Sequence, residues 1–288
     1  MPLAVSRLHT HVDGLDHPEG LCVHPDGSIY AGGEAGQIYR ITRDGKRVEE
    51  VARAKGGFML GVAIDPTGEY LVACDLKQHC LWRLELKSGR MEKFARGAGR
   101  AHPFEIPNHL AFAANGDLYV SDSGVKPHTG KVLRFDPGGR GIVWHAGPIK
   151  FANGLALDEG EKHLYVTASF LPGVEKIAIK PDGTAGKRSV AVRLPGTVPD
   201  GLAFDAKGNL YITCYAPSRI YRLSPAGKLD ILVEDWTAHA LASATNIAFG
   251  GEKFDQLFAA NLARWHITRV DLRVKGLPLA CHRRGATK

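Results

Sequence analysis

Residues 199–225 read PDGLAFDAKGNLYITCYAPSRIYRLSP. The segment 200–205 has the composition of a short strand, 206–208 is a turn, and 209–214 is a second strand rich in β-formers. A loop through Pro217 leads to 219–223, which alternates as a half-buried strand does. After the turn at 224–227, the run 229–233 supplies a fourth strand. The opening of this unit recurs as PEGLCV (18–23), MLGVAI (59–64), PNHLAF (107–112), ANGLAL (152–157), PDGLAF (199–204) and ATNIAF (244–249). Counted from residues 19, 60, 108, 153, 200 and 246, the spacings are 41, 48, 45, 47 and 46.

Turn signals follow most openings, at Asp26-Gly27, Pro66-Thr-Gly68, Asn115-Gly116, Asp158-Glu-Gly160 and Gly250-Gly251. Third strands recur as QIYRI, CLWRL, KVLRF, VEKIAI and HITRV. Four short strands in a repeat of this length predict an all-β fold, a six-bladed β-propeller with four antiparallel strands per blade. The repeats run over nearly the whole chain, so residues 1–288 are expected to form a single propeller domain. Two segments, 6–11 and 277–281, each have the character of an outer strand able to complete the last blade.

Composition narrows the function classes. An apolar fraction of 44% and a net charge of +7 describe a soluble globular chain. Its basic residues are scattered, with no clustered basic face of the kind that nucleic-acid binding needs. No apolar run approaches membrane-spanning length, and the N-terminal residues lack the apolar core of a secretory signal. Five cysteines, mostly in strand-like runs, read as buried free thiols, and the cytoplasm is the expected compartment. Neither a nucleic-acid nor a membrane partner is expected, and the oligomeric state is left open.

The repeat openings carry the chemistry. Glu19, Asn108, Asn153, Asp200 and Asn246 put a side-chain oxygen at five of the six, and Leu60 is the exception. In a propeller the first strand of each blade lines the axis, so these oxygens converge at one rim. Only six Asn occur in the chain and three fall in this column, which capping of Asn-Gly and Asp-Gly turns does not account for. Oxygen donors with two carboxylates suit one hard divalent cation, Ca²⁺ first, with Mg²⁺, Mn²⁺ or Zn²⁺ as alternatives. His9, His11 and His17 crowd the N-terminus without a spaced partner for a zinc set.

These openings, in this order and at this spacing, resemble the gluconolactonase/regucalcin (senescence marker protein) and luciferin-regenerating-enzyme-like family of six-bladed propellers. The resemblance spans essentially the whole chain. It implies a cation held by Glu19, Asn153 and Asp200, with Asn108 near substrate or a bound water. Two positions depart from the regucalcin pattern: Ile106 stands where an Arg for sugar hydroxyls is expected, and His109 where an Asp is usual. The metal site therefore carries over better than the sugar specificity.

The implied reaction is hydrolysis of a small lactone, sugar or related, by a metal-dependent lactonase. Asp200 is the candidate catalytic base, Asn108, His109 and Asp122 are candidate substrate contacts, and Asn246 supports the ligands from behind. Asp122 equally suits a turn cap. The connections 97–107 and 124–130 are expected to lie over blades two and three as a lid, and Leu60 leaves an apolar side to the rim. Two rivals are a non-catalytic propeller binding a small molecule or Ca²⁺, and a strictosidine-synthase-like propeller that uses a Glu and no metal.

Overall fold

The computed structural model describes residues 1–126 and 128–283. Six four-stranded antiparallel sheets form the blades of a β-propeller. The first strands are Leu21–Val23, Met59–Ile64, Pro107–Phe112, Ala152–Leu157, Val198–Phe204 and Ala244–Gly250. In blades one to five, three further strands follow in chain order outward from the axis.

The sixth blade is closed by the N-terminus. His9–Val12 pairs antiparallel with His266–Asp271, matching His9 to Arg269 and Val12 to Ile267. The other candidate, 277–281, joins no blade. Its backbone is tied to blade five through Leu277 N–H to Phe204 O at 2.9 Å, and it continues into the helical turn Ala280–Arg283. Leu277, Ala280 and Cys281 are buried against the axial end of the first strands, and Arg283 pairs with Glu161 at 3.0 Å.

Hairpin glycines sit at the expected turns because the left-handed backbone there excludes most side chains. Gly27 (φ 87°), Gly68 (76°), Gly116 (93°), Gly208 (77°) and Gly251 (83°) all show it. Blade four differs: the left-handed residue is Glu161 (φ 52°), one beyond Gly160. Its amide bonds Asp158 O, while its carboxylate accepts from Ala114 N–H and meets Arg283. The side chain thus has partners at a position a glycine would leave bare.

Packing between blades uses the alternating strand faces. Tyr165 of blade four meets Phe204 of blade five edge-on at 5.0 Å, and Tyr211 of blade five meets Phe249 of blade six at 5.3 Å. All five cysteines are free and buried. Among the described residues, no helix is long and apolar enough to cross a membrane.

Candidate metal centre

In blades two to six the first strand opens with an irregularity in its pairing. In blade three the pairing steps from Pro107–Asp122 to Leu110–Val120, leaving residues 108 and 109 out of the ladder. The same slip falls between Ala152 and Leu155, between Pro199 and Leu202, and between Met59 and Val62. A bulge of this kind re-aims the residues it contains. It places Asn108, Asn153 and Asp200 in one structural column with Leu60, and Glu19 precedes the first strand of blade one.

Blade six corrects the sequence alignment of that column. Its slip lies between Ala244 and Ile247, so the residue equivalent to Asn108 and Asp200 is Thr245. Asn246 stands one position later, level with His109 and with Gly61, Gly154 and Gly201. Cross-strand pairing sets this register, and the phrase ATNIAF set against PNHLAF agrees with it, whereas the spacing counted from residue 246 runs one position late.

The second column explains its glycines. A Cβ on Gly154 would lie 2.2 Å from Asp200 O, and one on Gly20 would lie 2.2 Å from Leu60 O. Adjacent first strands approach too closely there for any side chain. His109 and Asn246 are the two non-glycine members, and their side chains meet across the axis. His109 Nδ1 accepts the Leu155 N–H at 3.1 Å, its other nitrogen faces the Asn246 carboxamide, and burial pulls its pKa down to about 4. A neutral imidazole and an amide thus form the floor of the rim site. Below them lies an axial cavity of about 100 Å³ with mainly apolar walls, including Leu21, Val62, Leu155 and Phe249.

Above that floor the oxygen donors gather without the partners that buried polar groups normally have. Glu19 is 8% exposed and Asp200 7%. Burial pushes the Glu19 carboxyl up to about 8. Asp200 is raised well above the usual carboxylate range, first by burial and then by the charge of Glu19, with only Asn153 opposing through a hydrogen bond. No cationic side chain offsets either group. Asn108 Nδ2 donates to Ser123 Oγ at 3.0 Å and Asn153 Nδ2 to Ser169 Oγ at 3.4 Å. Their Oδ1 atoms are buried with no hydrogen-bond partner. Two carboxylates and two unpartnered amide oxygens are a donor set that fits a hard dication. Among the described residues no group of three or more His, Cys, Asp or Glu is assembled.

A ring of hydroxyl groups, missed in the sequence, holds these openings together. Ser123 Oγ donates to Ala152 O (2.7 Å), Ser169 Oγ to Pro199 O (2.7 Å) and Thr167 Oγ1 to Asp200 O (2.6 Å). Thr213 Oγ1 donates to Thr245 O (2.8 Å), and Thr245 Oγ1 to Glu19 O (2.6 Å). Every bond ties one blade to the strand opening of the next. A signal was present, because Ser121, Thr167 and Thr213 recur at the blade spacing, as do Ser123 and Ser169.

The remaining candidates lie outside the donor cluster. Asp122 has no exposed surface and accepts from Ile106 N–H at 2.6 Å and Glu105 N–H at 3.1 Å, with Lys131 Nζ 3.2 Å away. It holds the approach to Asn108 in shape. The connection at 97–107 folds back on itself, with Ala98 N–H bonded to His102 O and Phe104 buried. Glu105 ties it to the neighbouring loop by accepting the Val125 N–H at 2.9 Å, while Pro127 of that loop lies outside the described residues. His9 is exposed, His11 packs on Phe258 at 4.9 Å, and His17 contacts Asp16, Glu34 and Trp265, so the three do not converge.

Among known proteins, the chain is 30% identical over 151 residues to 6-deoxy-6-sulfogluconolactonase of Pseudomonas putida, covering 48% of this chain and 50% of that one. It is 27% identical over 126 residues to regucalcin of Xenopus laevis, covering 42% and 40%. The matched segments thus span half or less of these relatives. A gluconolactonase structure from Xanthomonas campestris superposes with a TM-score of 0.78 at 21% identity, covering 92% of this chain and 89% of that one. Regucalcin from Agrobacterium tumefaciens, a calcium-binding protein, gives 0.75 at 14% identity, covering 92% and 94%. These two show the shared fold. Residues 7–41 match the N-terminal strictosidine-synthase-like model. Residues 34–262 match the model for the SMP-30/gluconolactonase/LRE-like region, and the chain belongs to that family.

Proposed function

We propose that this protein is a divalent-cation-dependent hydrolase that opens the ester bond of a small lactone. One observation carries the reading: two buried carboxylates without a counter-charge share the axial rim with two buried amide oxygens without donors. Left alone, such a pair keeps a proton, because two like charges in a low-dielectric site repel. With a dication both ionise. The family, and relatives named as gluconolactonases, support lactone hydrolysis.

In this reading Glu19, Asn153 and Asp200 hold the cation, Ca²⁺ first, and Asn108 directs its amide oxygen toward the substrate or its attacking water. A bound dication polarises an ester carbonyl and acidifies water. Asp200 takes the proton as the water oxygen attacks the carbonyl carbon. The ring C–O bond then breaks, and the departing oxygen recovers a proton to give a hydroxy acid. His109 and Asn246 close the site from below; burial keeps the imidazole neutral and the contact with Asn246 holds it in place.

The test is turnover of sugar, aliphatic and aromatic lactones, followed with a pH indicator. Treatment with EDTA and the substitution Asp200→Ala are each expected to abolish it, while circular dichroism keeps its β signature. Full activity surviving both would sink the mechanism. A Ca²⁺-binding protein without catalysis would use the same ligands, as the regucalcin relatives suggest. Cation binding without turnover of any lactone would establish that second reading.

A further inference from the structure

Exposed aromatic residues gather in one sector of the face where the first strands begin. Among the exposed large apolar residues, the aromatic ones are Phe170 (54%), Tyr215 (42%), Trp236 (89%) and Trp265 (48%). Tyr215 lies near the end of the second strand of blade five and the other three lie in connections, all on the face where the first strands begin and all within blades four to six. Exposed aromatic groups confined to one sector of one face mark a binding surface more than random solvent contact does.

Three of them are linked to the strand openings that carry the proposed ligands through neighbouring residues. Phe170 follows Ser169, whose hydroxyl receives the Asn153 amide, and it stacks on Phe151 at 4.6 Å, two residues before Asn153. Trp265 stacks on His17 at 4.5 Å, two residues before Glu19. Tyr215 follows Cys214, the partner of Pro199 beside Asp200, and occupies the position that Ser123 and Ser169 fill in blades three and four. The backbone supports the arrangement at some strain. His17 (φ 45°), Phe151 (φ 63°) and Trp265 (φ 58°) are all left-handed, a conformation bulky residues adopt only where the surroundings impose it.

Next to the oxygen column the opposite sector is apolar. Ile106 leads into Asn108, Leu60 is the buried apolar member of the oxygen column, and Lys131 is taken up by Glu105 and Asp122. Resting on the hydrolytic reading above, we infer that the site selects lactones bearing an aryl or extended apolar substituent over polyhydroxylated sugar lactones. The Phe151–Phe170 and His17–Trp265 pairs receive the substituent while the lactone ring lies over the oxygen cluster. Phe170, Tyr215 and Trp265 are then specificity-determining residues.

The experiment compares a γ-phenyl-substituted butyrolactone with glucono-δ-lactone in the cation-loaded protein. It also measures binding of the matching γ-phenyl lactam, which is not hydrolysed, by isothermal calorimetry. The phenyl lactone is expected to have the higher kcat/KM. Phe170→Ala and Trp265→Ala should each raise its KM about tenfold more than that of glucono-δ-lactone, the scale of one lost aromatic contact. Phe170→Trp and Trp265→Phe should restore it, which separates lost contact from misfolding. Preference for glucono-δ-lactone, or equal KM changes for both substrates, overturns the inference while leaving lactone hydrolysis intact. Lactam binding that weakens in the alanine variants without turnover of any lactone upholds the aromatic mouth and removes the hydrolytic reading. Absence of both binding and turnover removes both.

Discussion

Replacing Glu19 by Gln removes one of the two buried carboxylates and keeps the size of the side chain. In the folded, cation-free protein the Glu19 carboxyl is raised to about 8 by burial. In the unfolded chain it returns to about 4.3. Between those values the folded state binds the extra proton, so stability falls as pH rises through that window. It is unaffected below about 4.3 and fully reduced above about 8. At pH 7.5 the displacement amounts to about 4 kcal/mol, at 1.36 kcal/mol per pKa unit. In a chain of this size that corresponds to a change in Tm of about 8 °C.

The assay is differential scanning calorimetry from pH 5 to 8, in EDTA and in Ca²⁺. In EDTA the native protein should lose Tm steadily across this range, while Glu19→Gln keeps only the shallower slope that the buried Asp200 carboxyl contributes and melts about 8 °C higher at pH 7.5. Ca²⁺ at a hundred times its Kd should return about 2.7 kcal/mol, or about 5 °C, to the native protein. It should return little to the variant, which has lost a ligand. Equal pH slopes for both proteins would refute the burial argument, and equal Ca²⁺ shifts would refute the assignment of Glu19 as a ligand.

Two further tests address the frame around the site. Gly154→Ala places a Cβ 2.2 Å from Asp200 O, backbone that has no room to yield, so urea unfolding should show a loss of about 2–3 kcal/mol and Ca²⁺ affinity should fall with it. Unchanged affinity would show that Asp200 does not depend on this contact. Burial alone would raise the Asp235 carboxyl, but the N–H groups of Leu241, Ala240 and His239 and the Thr237 hydroxyl reverse this and hold it at about 2. It contributes about 2 kcal/mol above pH 4 that is lost as pH falls from about 3.9 through 2. Asp235→Asn should remove that part of the acid sensitivity in a pH-dependent melt, and an identical acid limb would count against the cap.

Much of the fold was legible because a propeller repeats. Each blade presents the same alternation and turn, so equivalence between segments about 46 residues apart can be read directly, as between 152–157 and 199–204. The oxygen column was visible for the same reason. Periodicity names equivalent residues, however, and says nothing about their partners. Asp122 has the sequence context of a rim residue, yet the two backbone amides that occupy it come from a connection some sixteen residues earlier.

The sequence by itself determined the six blades, their strand order and the gathering of Glu19, Asn108, Asn153 and Asp200 at one rim, since these follow from local pattern and repeat spacing. Cross-strand pairing in blade six puts Thr245, and not Asn246, in the column, the register that ATNIAF set against PNHLAF also carries. The tertiary structure alone assigned ring closure to His9–Val12 and left 277–281 at the axis, since both segments suit an edge and only one edge is free. It also revealed which oxygens lack partners, and that is what carries the proposal of a cation site at this column of polar residues.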